Sequence, residues 1–175
     1  MDSDAEVMAK VVARDEQAFS VLVERYGGRL LAVARRLLGS RADAEDAVQR
    51  ALLSCYTAAT SYRAEWAVST WLYRILTNVC VDELRRRATR NSHGAEPDAR
   101  EPAPVRGSRD DLDLRRALER VPREARVLLA LRYAEGLSYD ELARVRGISV
   151  NTVKSQLARG KALLREELGK RGVRP

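Results

Sequence analysis

Residues 136–159, GLSYDELARVRGISVNTVKSQLAR, decide how this chain is read. Ser138 and Glu141 have the Ser-x-x-Glu spacing of a capping box, which satisfies the free amides at a helix start. A short helix follows, with Leu142, Ala143 and Val145 turned inward. Gly147 then supplies a left-handed turn, Ile148 plugs the core beneath it, and Ser149 caps a second helix running to about Lys170. At about 100° per residue, Val153, Leu157, Gly160 and Leu164 share one face of that second helix, while Asn151, Lys154, Ser155, Ala158 and Arg159 lie on or beside the opposite one. This is a helix-turn-helix pattern whose second helix offers a polar, basic face to DNA.

The charge agrees with that reading. From Ser149 to the C-terminus, Lys154, Arg159, Lys161, Arg165, Lys170, Arg171 and Arg174 stand against Glu166 and Glu167, a balance of seven minus two, or +5 of the chain's net +7. A positive field concentrated in this way is the footprint of a phosphate partner. Basic residues are also favoured at any helix C-terminus by the dipole, so the charge gains its meaning from the helix-turn-helix spacing beside it.

Working outward, the composition bounds the rest. The chain has 175 residues, 45% apolar and only 5% aromatic, and Ala, Leu and Arg dominate. That favours helices over strands, which want more β-branched and aromatic residues. No apolar stretch approaches the ~20 residues of a membrane span, and the N-terminus has no signal-like run, so a cytoplasmic protein without membrane insertion is expected. Cys55 and Cys80 match no metal-ligand spacing and read as small core residues, and no cofactor is expected.

One segment reads as a flexible tether. Between Ala88 and Ser108 lie His93, Gly94, Gly107 and three of the five prolines, Pro97, Pro102 and Pro104, with almost nothing apolar. The expected fold class is therefore all-α, with two small helical domains of residues 1–88 and 109–175 joined by a linker of residues 89–108. The second is expected to be a four-helix, winged-helix-like helix-turn-helix domain, with helices over about Asp110 to Arg120 and Pro122 to Tyr133 ahead of the motif, Pro122 standing at a first helical position.

The N-terminal module reads as four helices. One spans about Ala5 to Arg14. A second runs from Glu16 to Leu38 with Phe19, Leu22, Val23, Tyr26, Leu30 and Val33 at helical spacing, interrupted in composition by Gly27-Gly28 and ended by Gly39. A third, capped near Asp43, turns Ala44, Val48, Ala51, Leu52 and Cys55 inward and Asp43, Glu45, Asp46, Gln49 and Arg50 outward. A fourth begins around Ser69, with Leu72, Ile75, Leu76 and Val79 in the core and Arg74, Asn78, Asp82 and Arg85 across from them, followed by Arg86, Arg87 and Arg90.

Three motifs in this order and spacing, Asp43-Ala-Glu-Asp46-Ala-Val-Gln49, Tyr62-Arg63 through Ser69-Thr70-Trp71-Leu72-Tyr73-Arg74-Ile75, and Gly136 to Ala143 with Thr152-Val153-Lys154-Ser155, resemble bacterial extracytoplasmic-function (ECF) sigma factors of the sigma-70 family. The resemblance spans nearly the whole chain. It implies a transcription initiation factor, not an enzyme, whose partners are core RNA polymerase, promoter DNA and commonly an anti-sigma factor, with no small-molecule substrate. It places Asp43, Glu45, Asp46 and Gln49 on a polymerase-docking surface, although Asp43 reads equally well as a cap. The family usually continues with an acid and an aromatic where Arg50-Ala51-Leu52 stand here.

The resemblance further assigns the minus-ten element to Tyr62, Arg63, Trp66, Arg74, Asn78, Asp82, Arg85 and Arg86. The chemistry needed there is a pocket that reads an unpaired base by its edge while cations hold the backbone. Trp66 has two readings, a stacking surface or a core residue, and Trp71 reads as packing. Arg85, Arg86, Arg87 and Arg90 read as phosphate contacts, since consecutive arginines point in several directions. The minus-thirty-five element falls to Thr152, Lys154, Ser155, Gln156 and Arg159. Two rival classes are weaker. A stand-alone dimeric operator-binding regulator would need a dimerising seam and would leave the first module unexplained, and a nuclease or recombinase would need clustered carboxylates or a placed nucleophile that the sequence does not offer.

Overall fold

The computed structural model describes residues 2–92 and 109–170. His93 and the expected tether from residue 93 onward lie outside them, as do Arg171 and Arg174. Eight α-helices are present and no strand among the described residues: α1 (Asp4–Val12), α2 (Glu16–Leu38), α3 (Arg41–Thr57), α4 (Val68–Ser92), α5 (Arg109–Arg120), α6 (Arg123–Ala134), α7 (Tyr139–Arg146) and α8 (Val150–Lys170).

Local chemistry explains most boundaries. Ser3 caps α1 through a complete capping box with Glu6, so the helix starts ahead of the expected Ala5. Asp15 caps α2 by accepting from the amides of Gln17 and Ala18, and the helix continues through Gly27-Gly28 because Tyr26, Leu30 and Val33 bury its inner face on both sides of the pair. The cap of α3 is Ser40, not Asp43: the Ser40 hydroxyl accepts from the Asp43 amide, which leaves the Asp43 carboxylate for another partner. Pro122 sits at the cap of α6, one position before the first helical residue. Helix α4 persists to Ser92, past Ala88 where the tether was expected to begin, since nothing before Pro97 bars helical geometry.

Arg14 takes a left-handed backbone (φ 68°) and sends its guanidinium to the carbonyls of Tyr56 and Thr57, at 2.7 and 3.4 Å, closing the C-terminal end of α3. Arg25 and the Tyr26 hydroxyl both bond Asp4 and fasten α1 to α2. Those bonds hold the Asp4 carboxyl below its usual range, while burial, with Asp4 second, raises Tyr26 to about 12.

The buried apolar residues of both modules form one contiguous cluster, from Val7, Leu22, Leu30 and Val33 through Leu72, Tyr73 and Leu76 to Leu128, Leu131, Leu142 and Val153. Cys55 and Cys80 are free thiols inside it, and burial raises both to about 12, as befits core residues. Gly160 allows α8 to approach α6 closely. A Cβ there would lie 3.1 Å from the Ala125 Cβ and 3.2 Å from a Leu129 methyl.

Candidate nucleic-acid interface

The helix-turn-helix forms as its sequence dictates. Ser138 and Glu141 make the reciprocal capping box of α7, Gly147 ends that helix with φ 65° and ψ 37°, and the Ser149 hydroxyl accepts from the Thr152 amide at the start of α8. Val153, Leu157 and Gly160 are buried, so α8 is fixed in rotation about its axis. Lys154, Ser155 and Arg159 are consequently exposed together on the outer face. Thr152 is half-buried and its hydroxyl lies 2.8 Å from that of Ser149. Gln156 is also half-buried, and its side-chain oxygen is enclosed without a hydrogen-bond partner, so it stands at the edge of that outer face.

The N-terminal site has a different character. The Tyr62 hydroxyl donates to the Trp66 carbonyl at 2.6 Å, and its ring meets Trp71 edge-on at 5.6 Å. Burial raises the Tyr62 pKa. Trp71 is buried, as a packing residue should be. Trp66 is half-buried against the core, and the Arg74 guanidinium lies over its ring at 5.4 Å. That contact favours the packed reading in this arrangement, because a cation already covers a face of the indole. Arg63, Asp82, Arg85 and Arg86 are exposed, with Arg85 3.4 Å from Asp82.

Arg87 differs from the arginines beside it. It donates to the Leu38 carbonyl at 2.9 Å and to the Asp43 carboxylate at 2.5 Å, so it ties α4 to the start of α3 instead of facing outward to phosphate. Asp43 is correspondingly buried at 7% exposure. The exposed polar surface of α3 is left to Glu45, paired with Arg41, to Asp46, paired with Arg50, and to Gln49. Leu53, which sequence reading missed, continues this surface at 65% exposure. The signal was its position four residues after Gln49, on the same side of the helix.

The two modules touch, and their contact uses residues of the candidate site. Arg146, from the turn end of α7, donates to Asn78 at 3.0 Å and Thr77 at 3.2 Å on α4, and to Glu124 on α6 at 2.8 Å. Arg74 donates to the Arg144 carbonyl at 2.9 Å. Glu135, its side chain 7% exposed, receives Arg29 at 2.9 Å and the Tyr73 hydroxyl at 2.5 Å. Burial first, then that bond, raises the Tyr73 pKa, and the bond to Glu135 raises that of Arg29. Asn78 and Arg74 thus lie on the seam between modules. Nothing local in the sequence marks Arg29, Glu135 or Arg146 as their companions.

Comparison with known proteins now settles the family. The model for Sigma-70 region 2 matches residues 22–90 and that for Sigma-70, region 4 matches residues 111–164. SigM of Mycobacterium tuberculosis, an ECF RNA polymerase sigma factor, is 39% identical over 170 residues, covering 95% of this chain and 85% of SigM. The chain belongs to the ECF sigma factors. The ECF sigma-E factor of Escherichia coli K12 is 30% identical, with 91% of each chain covered.

Among solved structures, this sigma factor resembles CnrH in complex with the cytosolic domain of CnrY (TM-score 0.73, 25% identity, 97% of this chain and 99% of that one). It also resembles RpoE of Bartonella quintana in complex with the anti-sigma factor NepR (TM-score 0.70, 30% identity, 86% and 96%). As a sigma factor the protein binds core RNA polymerase and directs it to promoters, the N-terminal domain acting at the minus-ten element and the C-terminal helix-turn-helix at the minus-thirty-five element. No helix among the described residues is long and apolar enough to cross a membrane.

Proposed function

We propose the following division of labour within this sigma factor. Lys154, Ser155 and Arg159 enter the major groove of the minus-thirty-five element, Arg159 and Lys154 meeting guanine edges or phosphates, with Thr152 and Gln156 at the margin of the contact. Asn78 and Asp82 face an unpaired base of the minus-ten element, Tyr62, Arg63 and Trp66 form the wall of its pocket, and Arg74, Arg85 and Arg86 hold the backbone. Glu45, Asp46, Gln49 and Leu53 dock on core polymerase, while Asp43 acts from inside by fixing α3 through Arg87. The working units are a first domain of residues 1–88, its last helix reaching Ser92, a linker, and a second domain of residues 109–175. The protein carries no catalysis of its own, since bond formation belongs to the polymerase. It works in the cytoplasm, and an anti-sigma factor holds it inactive, as the company of CnrH and RpoE suggests.

The observation that carries this reading is the exposed row of Lys154, Ser155 and Arg159 on a helix whose other face is locked by Val153, Leu157 and Gly160. The two domains each bind weakly, and the tether and polymerase make the second contact intramolecular, raising its effective concentration. Run-off transcription with purified core polymerase on promoter fragments tests it. Discrete transcripts that require the protein, and that vanish in an Asp46→Ala/Gln49→Ala/Leu53→Ala variant together with polymerase binding, are expected. Retained polymerase binding in that variant would refute the docking assignment.

A further inference from the structure

The seam between the modules is complementary at one end and like-charged at the other. Around α7 it is sewn by Arg146 with Asn78 and by Glu135 with Arg29 and Tyr73. Near the C-terminal ends of α2 and α4 the modules instead enclose a cleft of about 420 Å³ lined by five arginines. Arg36 and Arg87 come from the first module, Arg115, Arg123 and Arg126 from the second, and Glu119 is the one carboxylate on the lining.

Arg87 is committed to Asp43, and Arg126 donates to the Glu119 and Val121 carbonyls at the end of α5. Burial lowers the Arg126 pKa, with Glu119 opposing the shift and Arg123 adding to it. Arg36, Arg115 and Arg123 make no hydrogen bond or ion pair among the described residues. The Arg115 guanidinium lies against Gly39, where a Cβ would come within 2.7 Å of its Nη2 and crowd it. Like charges facing one another across a partly enclosed gap oppose its closure unless an anion lies between them.

We propose that this cleft binds a compact oligophosphate anion, bridging Arg36 of the first module to Arg115 and Arg123 of the second. Planar guanidiniums suit phosphate because each offers paired N–H donors, and the cleft falls within the size range of small-molecule sites. Leu37, Leu84 and Leu118 add an apolar wall of the kind a nucleobase covers. Inorganic polyphosphate and a nucleoside triphosphate share the required chemistry. Because the anion touches both modules, it binds the closed arrangement and shifts the population toward it. In that arrangement Asn78 and Arg74 are engaged on the seam, so the anion restrains promoter binding. This regulatory consequence rests on the functional reading above, whereas the binding itself does not.

Isothermal titration of the full chain with sodium tripolyphosphate, at fixed ionic strength, tests the site. One saturable site is expected, weakened at least tenfold by Arg36→Ala/Arg123→Ala, in which both replaced side chains are exposed and thermal melting should stay unchanged. Arg115→Ala should weaken it likewise, and Lys154→Ala/Arg159→Ala should leave it intact. Loss of binding in the α8 variant, unsaturable binding, or equal binding by the cleft variants would overturn the proposal, since the anion would then be meeting only the general positive field. A parallel titration with ATP separates the sources: tighter ATP binding that needs Leu118 points to a nucleotide, and tighter tripolyphosphate binding to an inorganic chain. In run-off transcription at constant free magnesium, tripolyphosphate should inhibit the wild type more than Arg36→Ala/Arg123→Ala. Equal inhibition would refute the regulatory step, whereas failure of the functional reading would show as no transcript even without the anion.

Discussion

Helices α4 and α8 each carry a polar face proposed above to meet promoter DNA, but the two faces are held differently. On α8, Lys154, Ser155 and Arg159 are exposed and none of them bonds another helix. On α4, Arg74 covers Trp66 and bonds the Arg144 carbonyl, and Asn78 is taken by Arg146. One face is ready for duplex DNA as it stands. The other is satisfied internally and, on the proposed assignment, must exchange those partners for nucleic acid. The difference suits their tasks, because a duplex groove needs only a rigid helix to enter it, while an unpaired base must first be produced by the polymerase-bound complex.

The largest effect is expected from releasing α4. A Glu135→Ala/Arg146→Ala variant removes the side-chain pairing of the seam and leaves only the bond of Arg74 to the Arg144 carbonyl, and small-angle scattering should show a radius of gyration well above the ~16 Å expected of a compact chain of this length. An unchanged radius would mean that the contiguous apolar cluster alone holds the modules together. Next, overfilling the contact behind α8 with Gly160→Val should destabilise the second module by about 1–3 kcal/mol, read by thermal denaturation, because the Ala125 and Leu129 side chains already lie at contact distance.

Smaller effects distinguish the chemistry of the open face. Arg159→Ala should weaken promoter binding by about 1–3 kcal/mol and relax preference at one base pair if Arg159 reads a base, which a panel of minus-thirty-five variants in holoenzyme binding assays would reveal. Lys154→Ala, if its partner is a phosphate, should weaken all sequences alike and reduce the salt slope by about 1. Finally, Arg87→Ala and Arg86→Ala contrast neighbours on one helix. The first should lower the melting temperature, because it removes the tie from α4 to the Leu38 carbonyl and to the buried Asp43 carboxylate, whereas the second should leave melting unchanged and act only on DNA binding.

Legibility differed between the two faces for the same reason. The α8 face was readable because its buried residues recur at helical spacing and its cap and turn carry their own chemistry within a few positions. The α4 face was readable as a set of polar positions, but its state was not. The partners of Asn78 and Arg74 lie about 70 residues away, and Arg29 meets Glu135 across 106. Asp43 shows the limit most plainly: in sequence it is a candidate cap or docking acid, and only the approach of Arg87 from α4, 44 residues on, makes it a buried anchor.

By itself the sequence determined the all-helical class, the helix-turn-helix, and the outward set of Lys154, Ser155 and Arg159, because helical period and capping bonds act over three or four residues and are written wherever the chain is read. Tertiary structure decided which polar residues are spent on structure, as with Asp43 and Arg87, which residues of the candidate site are engaged on the seam, as with Asn78 and Arg74, and that arginines from four separate helices converge on one cleft. Those outcomes depend on distances between segments far apart in the chain, set by how the apolar faces pack and not by any local signal.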